Sequence, residues 1–194
     1  MHEKRFSGDI TRLRSVERVE RLEVERVVQI CLEGGSFSNI LDVGTGSGLF
    51  VEGFSQHNLE VTGIDANFEM LPAARSYVPQ GRFLQSTAEA LPFAPKPFDL
   101  IFYGLVFHEV DDPTRVFEVA RRVSRKRICL LEWPYREQSF GPPMNDRLSP
   151  GRLEELFHQA GFVRWECIRL KNTDLYCLDS YEAGLVNSNQ LFIK

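Results

Sequence analysis

The stretch that most constrains this chain is ILDVGTGSGLFVEGF, residues 40–54, which places a glycine at every second position: Gly44, Gly46 and Gly48. An apolar run precedes these glycines, and a helix-like segment follows them. Glycine loses more conformational entropy on folding than any other residue, so a cluster of three needs a structural reason. The pattern predicts a tight strand-to-helix turn that a ligand can approach closely.

Apolar strand-like segments alternate with amphipathic helix-like segments along the rest of the chain. This alternation is typical of a parallel sheet with helices on both faces, so we predict a doubly wound, Rossmann-like α/β fold. Either of two C-terminal segments, 173–181 or 189–194, would add an antiparallel strand. The predicted strands lie within 39–44, 60–65, 81–87, 97–104, 127–133 and 162–170, and the predicted helices within 15–35, 48–58, 67–78, 112–125 and 149–161.

Length and composition suit a single domain over 1–194, with a lead-in and helix at 1–35 and a core at 36–194. The charged start of the chain lacks the apolar core of a signal peptide, and no run is long enough to span a bilayer. We therefore expect a cytoplasmic protein without membrane contact. The four cysteines form no metal-ligand spacing and are predicted to be buried thiols: Cys31, Cys129, Cys167 and Cys177.

The glycine spacing distinguishes between two kinds of nucleotide ligand. The dinucleotide fingerprint G-x-G-x-x-G requires its third glycine at position 49, where this chain has Leu49. The observed pattern is D-x-G-x-G-x-G, beginning at Asp42, and the next strand ends in Asp65. An acid at that position accepts hydrogen bonds from ribose hydroxyls, so the predicted ligand has a ribose and no bulky pyrophosphate. The alternatives are a turn without a ligand and a helix-capping role for Asp65.

Four segments in order resemble the class I S-adenosylmethionine-dependent methyltransferases, in their small-molecule, quinone-biosynthesis-like branch known as type 11. They are LDVGTGSG, VTGIDANFEML, STAEALPFAPKPFDLIFYGLVFHEVDDP and RRVSRKRICLLEW, which together span roughly residues 39–133. The resemblance implies that S-adenosylmethionine is the cofactor and S-adenosylhomocysteine the product. The cofactor-binding residues that it implies are Asp42, Gly44, Thr45, Gly46, Gly48, Asp65, Ala66, Thr87, Ala88, Glu89 and Tyr103.

His108 is the candidate catalytic residue, because it follows the fourth strand at the edge where the methyl group would be transferred. A histidine there can take a proton from a substrate hydroxyl or amine. The alternative is a structural role, in which His108 holds its loop to Asp111 or Asp112. Thr87 stands where the family often has an acidic residue that contacts adenine.

Three further segments have both a functional and a structural interpretation. Glu132, Tyr135 and Arg136 line the acceptor pocket or anchor a lid, within or next to the irregular segment 134–148. The basic stretch RRVSRKR, residues 121–127, is interpreted as a solvated helix end rather than a nucleic-acid patch. In the lead-in, the resemblance to the family implies a lid over the cofactor, formed by Phe6, Arg12 and Arg14.

The predicted function is therefore methyl transfer from S-adenosylmethionine to a small-molecule acceptor, without a metal and without nucleic acid as partner. Methyltransferases of this fold that act on the amino groups of nucleic-acid bases usually carry an N/D-P-P-Y/F motif after the fourth strand. This chain reads YGLVFHEV there, which favours a small-molecule acceptor. One alternative is a catalytically silent cofactor-binding partner or regulator. The other is an NAD(P)-dependent oxidoreductase, which the glycine spacing disfavours. Neither the acceptor nor the oligomeric state follows from the sequence.

Overall fold

A computed structural model describes residues 9–179, and in it a seven-stranded sheet forms the centre of the fold. The strand order is β3-β2-β1-β4-β5-β7-β6, and only β7 runs antiparallel to its two neighbours. The strands are β1 Asn39–Val43, β2 Glu60–Asp65, β3 Arg82–Gln85, β4 Phe98–Gly104, β5 Ser124–Glu132, β6 Trp165–Arg169 and β7 Asp174–Asp179. The predicted Rossmann-like sheet with an antiparallel C-terminal strand is confirmed.

Helices cover both faces of the sheet. They are α1 Ile10–Leu13, α2 Val16–Arg21, α3 Val24–Leu32, α4 Leu49–Ser55, α5 Leu71–Tyr77, α6 Pro113–Val123 and α7 Pro150–Gln159, with short 3₁₀ helices at Phe68–Met70 and Met144–Asp146. Pro72, Pro113 and Pro150 all lie in the first turn of their helices, where a missing N–H costs no hydrogen bond.

Alternating side chains of the strands divide the apolar interior into two cores. Ile40, Leu100 and Phe102 pack against α3, α4 and α5 on one face. Leu41 and Ile101 pack against α6 and α7 on the other. Because both faces are covered, the central strands are apolar at nearly every position rather than at every second one.

The N-terminal helix predicted over 15–35 is broken in the structure. Glu23 adopts a left-handed conformation with φ 48°, so that α2 ends and α3 begins around it. Its carboxylate accepts hydrogen bonds from Arg26 at 2.9 Å and from the backbone N–H of Lys171 at 2.9 Å. The long-range bond to Lys171 ties this break to the β6–β7 turn, and helical periodicity carries no signal for it.

The C-terminal strands are arranged in a way that chain order does not reveal. The segment 174–179 inserts between β5 and β6, although β6 comes first along the chain. The other strand candidate, 189–194, lies outside the described residues. Among the cysteines, Cys31 and Cys129 are buried as predicted, whereas Cys167 and Cys177 are half-buried, and all four are free thiols.

Candidate cofactor and acceptor site

The glycine loop, residues 44–48, leaves the sheet between β1 and β4, where the strand order reverses. This reversal is the usual ligand-binding position in doubly wound sheets. Gly44, Gly46 and Gly48 all have positive φ, at 73°, 52° and 81°. A Cβ on Gly44 would overlap Val106, and a Cβ on Gly48 would lie 3.0 Å from Ala74 Cα. The turn therefore requires glycine at these two positions for both conformation and space.

Asp65, at the end of β2, binds the glycine loop directly. Its Oδ2 accepts a hydrogen bond of 2.7 Å from Gly46 N, and its Oδ1 accepts one of 2.8 Å from Asn67 N. Burial raises the pKa of this carboxyl, against the effect of the two backbone hydrogen bonds. A carboxylate accepts about four hydrogen bonds, so two acceptor positions remain for further donors such as ribose hydroxyls.

Asp42 supports the same loop from inside the protein. Its side chain is 1% exposed and accepts a hydrogen bond of 2.8 Å from Thr45 Oγ1. Burial raises the pKa of Asp42 to about 7; the Thr45 hydrogen bond opposes this rise and the nearby Asp65 adds to it. Asp42 therefore orients Thr45 from beneath the loop.

Two buried hydroxyls at or near the loop have no hydrogen-bond partner among the described residues. Ser47 Oγ belongs to the glycine loop, and its residue is 2% exposed. The second hydroxyl is that of Tyr103, which is fully buried. The Tyr103 ring packs edge-on against the Phe107 ring, with 5.1 Å between the ring centroids. Tyr103 therefore lies behind the edge of the sheet, with its side chain in the core. Ser47 was not predicted, and its only sequence signal is its position inside the glycine pattern.

The segment 87–89 follows β3 and contacts the loop that comes after β4. Glu89 Oε1 accepts a hydrogen bond of 3.3 Å from Asp111 N, while Ala88 is buried and Thr87 is half-buried. On the β2 side, the carbonyl of Ala66 accepts a hydrogen bond of 3.1 Å from Gln85. The predicted adenine-side residues therefore lie along the rim between β2, β3 and β4.

His108 lies in the loop after β4, residues 105–112, and its ring contacts a carboxylate from the next strand. His108 Nδ1 lies 3.2 Å from Glu132 Oε2. Glu132 is 4% exposed and also accepts hydrogen bonds from Phe107 N at 2.8 Å and Trp133 N at 3.2 Å. The structural alternative for His108 named Asp111 or Asp112 as its partner, and the structure shows Glu132 instead.

The environment of His108 contains three carboxyl groups. Burial acts to lower its pKa, but Glu132 raises it by charge and by hydrogen bonding, and Glu109 and Asp146 raise it further, so the net shift is upward. Glu109 Oε1 lies 3.6 Å from His108 Nε2, which is beyond hydrogen-bond distance. The imidazole therefore favours its protonated form more than a free histidine does.

Arg147 organises the irregular segment 134–148. Its buried guanidinium donates to Gln138 Oε1 at 3.0 Å and to four backbone carbonyls between 2.7 and 3.0 Å, those of Pro134, Arg136, Phe140 and Pro142. Within this segment Tyr135 is exposed, and Arg136 donates to the carbonyl of Lys171. The sequence does not reveal the role of Arg147, because one arginine in a Pro- and Gly-rich segment resembles any surface residue.

The lead-in contacts the glycine loop through Arg14. The Arg14 guanidinium donates to the Ser47 carbonyl at 3.0 Å, pairs with Glu52, and stacks over the Tyr77 ring with its central carbon 3.4 Å from the ring centroid. Arg12 is exposed, and Phe6 lies outside the described residues.

The cations of the basic stretch 121–127 bind groups of this chain. Arg121 and Arg122 donate to backbone carbonyls, Arg125 and Lys126 pair with Asp99, and Arg127 pairs with Asp179. Across residues 9–179, no group of three His, Cys, Asp or Glu side chains is arranged to hold a metal ion. No helix in that range is long and apolar enough to cross a membrane.

The strand order, the reversal point and the glycine loop define a doubly wound, Rossmann-like fold. A solved S-adenosylmethionine-dependent methyltransferase from Aquifex aeolicus superposes with a TM-score of 0.77 at 24% identity, covering 88% of this chain and 96% of that one. Residues 41–128 match the family model of the methyltransferase domain. Residues 41–128 of this chain are therefore similar to a methyltransferase domain, and its fold is the one found in that solved S-adenosylmethionine-dependent methyltransferase.

Two curated relatives are similar to part of this chain. The chain is 33% identical over 112 residues to a demethylmenaquinone methyltransferase of Thermotoga maritima, covering 56% of this chain and 48% of the relative. It is 40% identical over 98 residues to the uncharacterized methyltransferase YcgJ of Bacillus subtilis, covering 47% and 39%. The chain thus matches less than half of the length of each of these two relatives.

Proposed function

We propose that this protein binds S-adenosylmethionine at the glycine loop and transfers its methyl group to a small-molecule acceptor. The observation that carries the proposal is the Asp65 carboxylate. It accepts a hydrogen bond of 2.7 Å from Gly46 N and can accept further hydrogen bonds from a ligand. This is the position at which a doubly wound fold binds a ribose. The methyltransferase domain match over residues 41–128 supports the same assignment.

The residues present fit the cofactor. The loop has no side chain at Gly46, where a Cβ would lie at an ordinary contact distance of 3.6 Å from Leu13, so a ligand can approach the backbone there. Ser47 Oγ is a buried hydroxyl without a partner among the described residues. In this proposal Asp65 and Ala66 bind the ribose side, Thr87, Ala88 and Glu89 form the adenine side, and Asp42 and Thr45 hold the loop in shape. Tyr103 forms the wall behind the site, because its side chain is buried.

The cofactor supplies a methyl group already activated by a sulfonium, so the task of the protein is to orient the reacting groups and exclude water. Orientation alone can lower the barrier by about 7–11 kcal/mol. We assign to His108 the role of accepting the proton that the acceptor loses. Its loop adjoins the glycine loop, since Val106 fills the space beside Gly44.

The alternatives differ in what they bind and in what they transfer. Isothermal titration calorimetry with S-adenosylmethionine, S-adenosylhomocysteine and NAD tests the ligand, and we expect both sulfur ligands to bind. Binding of NAD alone would overturn the proposal. Incubation with methyl-labelled S-adenosylmethionine and a panel of hydroxyl- and amine-bearing metabolites tests transfer. Tight cofactor binding without label transfer across the panel would favour the alternative of a catalytically silent, cofactor-binding partner or regulator.

A further inference from the structure

We infer that Glu132 is the positioning residue for His108: it holds Nδ1–H and leaves Nε2 to take a proton from a hydroxyl or amine acceptor. This inference rests on the proposed function for its chemistry. The geometric observation does not depend on that function: His108 Nδ1 lies 3.2 Å from Glu132 Oε2.

Two backbone N–H groups hold the Glu132 carboxylate in place independently of the histidine. Its Oε1 accepts from Phe107 N at 2.8 Å, and its Oε2 accepts from Trp133 N at 3.2 Å. Both donors are backbone N–H groups, which can only donate, so each oxygen of Glu132 accepts a hydrogen bond, and we assign the acceptor role toward His108 to Oε2 as well. An acceptor facing Nδ1 selects the tautomer that carries its proton on Nδ1. In the neutral imidazole, Nε2 then has the free lone pair that a base needs.

The backbone between β4 and His108 is also tied to the end of β5. Leu105 is buried although its φ is +62°, a conformation that non-glycine residues rarely adopt. Its N–H donates to the Leu131 carbonyl at 2.8 Å, next to Glu132. The His108 loop and the end of β5 are therefore joined twice, once through backbone and once through the Glu132 carboxylate. Strained backbone of this kind persists only where the surroundings over-determine it.

The remaining charged groups around His108 come from three directions. Glu109 lies on its own loop, Asp146 on the 3₁₀ helix of the 134–148 segment, and Glu132 at the end of β5. Arg18 from α2 interacts with Glu109, and Arg147 interacts with Glu132. Of the three carboxyl groups, only Glu132 is within hydrogen-bond distance of the ring among the contacts that the structure describes.

The proton transfer balances without a further reactant. The acceptor atom keeps the electron pair of its O–H or N–H bond, and the proton moves to His108 Nε2. The imidazolium that forms is stabilised by Glu132 Oε2, which accepts a hydrogen bond from Nδ1–H. The acceptor is therefore a group that loses a proton on methylation.

Imidazole ¹⁵N NMR tests the inference without an acceptor or a cofactor. The chain has only four histidines, and loss of one signal in His108→Gln assigns the His108 resonance. We expect the Nδ1–H tautomer at high pH and a His108 pKa above the ordinary 6.5. In Glu132→Gln the pKa should fall by one unit or more. In the matched control Glu109→Gln, which removes the more distant carboxylate, it should fall by less.

Two results would overturn the inference: an Nε2–H tautomer in the wild-type protein, or an unchanged His108 pKa in a folded Glu132→Gln variant. If Glu132→Gln does not fold, the wild-type tautomer decides alone. Because the readout is independent of methyl transfer, a failure of S-adenosylmethionine to bind in calorimetry would count against the proposed function and not against this pair.

Discussion

The Asp65 carboxylate accepts a hydrogen bond of 2.7 Å from Gly46 N, joining the end of β2 to the loop after β1. The two residues are 19 positions apart, and parallel pairing of β1 with β2 brings them together. One carboxylate thereby fixes the loop and presents its remaining lone pairs at the edge of the sheet.

Substitution of Asp65 by asparagine tests that double role. The amide NH₂ would face one of the two backbone N–H donors and would remove an acceptor from the ribose position. We expect S-adenosylmethionine affinity to fall at least about tenfold, or about 1.4 kcal/mol, in calorimetry. Asp111→Asn, at an exposed carboxyl on the same edge, is the control and should bind as the wild type does. Equal affinities for all three proteins would refute the ribose assignment.

Gly48→Ala and Gly34→Ala form a matched pair for the loop. Both glycines have positive φ, at 81° and 70°, so both alanines bear a left-handed penalty of about 1–2 kcal/mol. Only at Gly48 would the new Cβ also meet backbone, 3.0 Å from Ala74 Cα. Urea denaturation should show an additional loss of about 1–3 kcal/mol for Gly48→Ala. Equal losses would mean that α5 shifts freely away from the loop.

Asp42 should make stability decrease as the pH rises. Its folded pKa of about 7 lies above the unfolded value of about 3.9, so the folded state binds the proton more tightly. The stability gained in this way is complete below about pH 4 and is lost between about pH 4 and pH 7. Asn keeps an acceptor for Thr45 and does not ionise.

We therefore expect Asp42→Asn to stabilise the protein more at pH 8 than at pH 5, by about 1–3 kcal/mol in the free energy of unfolding. A gain that is the same at both pH values would show that Asp42 is ionised in the folded protein throughout.

Arg14→Ala should release the lead-in from the glycine loop. The substitution removes the bond to the Ser47 carbonyl, the pair with Glu52 and the stack on Tyr77. We expect faster amide hydrogen exchange in residues 10–13 and a stability loss of about 1–2 kcal/mol, from a partly buried pair and one cation–π contact. Arg12→Ala, at an exposed neighbour, serves as the control. Unchanged exchange in Arg14→Ala would show that α1 is held by other contacts.

The sequence by itself determined the class of fold and most of the elements, though not the break between α2 and α3. Continuous apolar strands between amphipathic helices required a covered parallel sheet, and proline in the first turn of α6 and α7 marked where these helices begin. The glycine spacing and Asp65 predicted a ligand-binding edge, because both depend on local rules of chain geometry that operate over a few residues.

Only the tertiary structure decided which distant groups meet. Glu132 contacts His108 across 24 positions, Glu23 reaches the β6–β7 turn across 148, and β7 pairs between β5 and β6. Ser47 and Arg147 likewise acquire their roles from burial, which no local pattern encodes. Hydrophobic periodicity specifies which side of an element is buried, and the partner on that side is set by how the whole sheet packs.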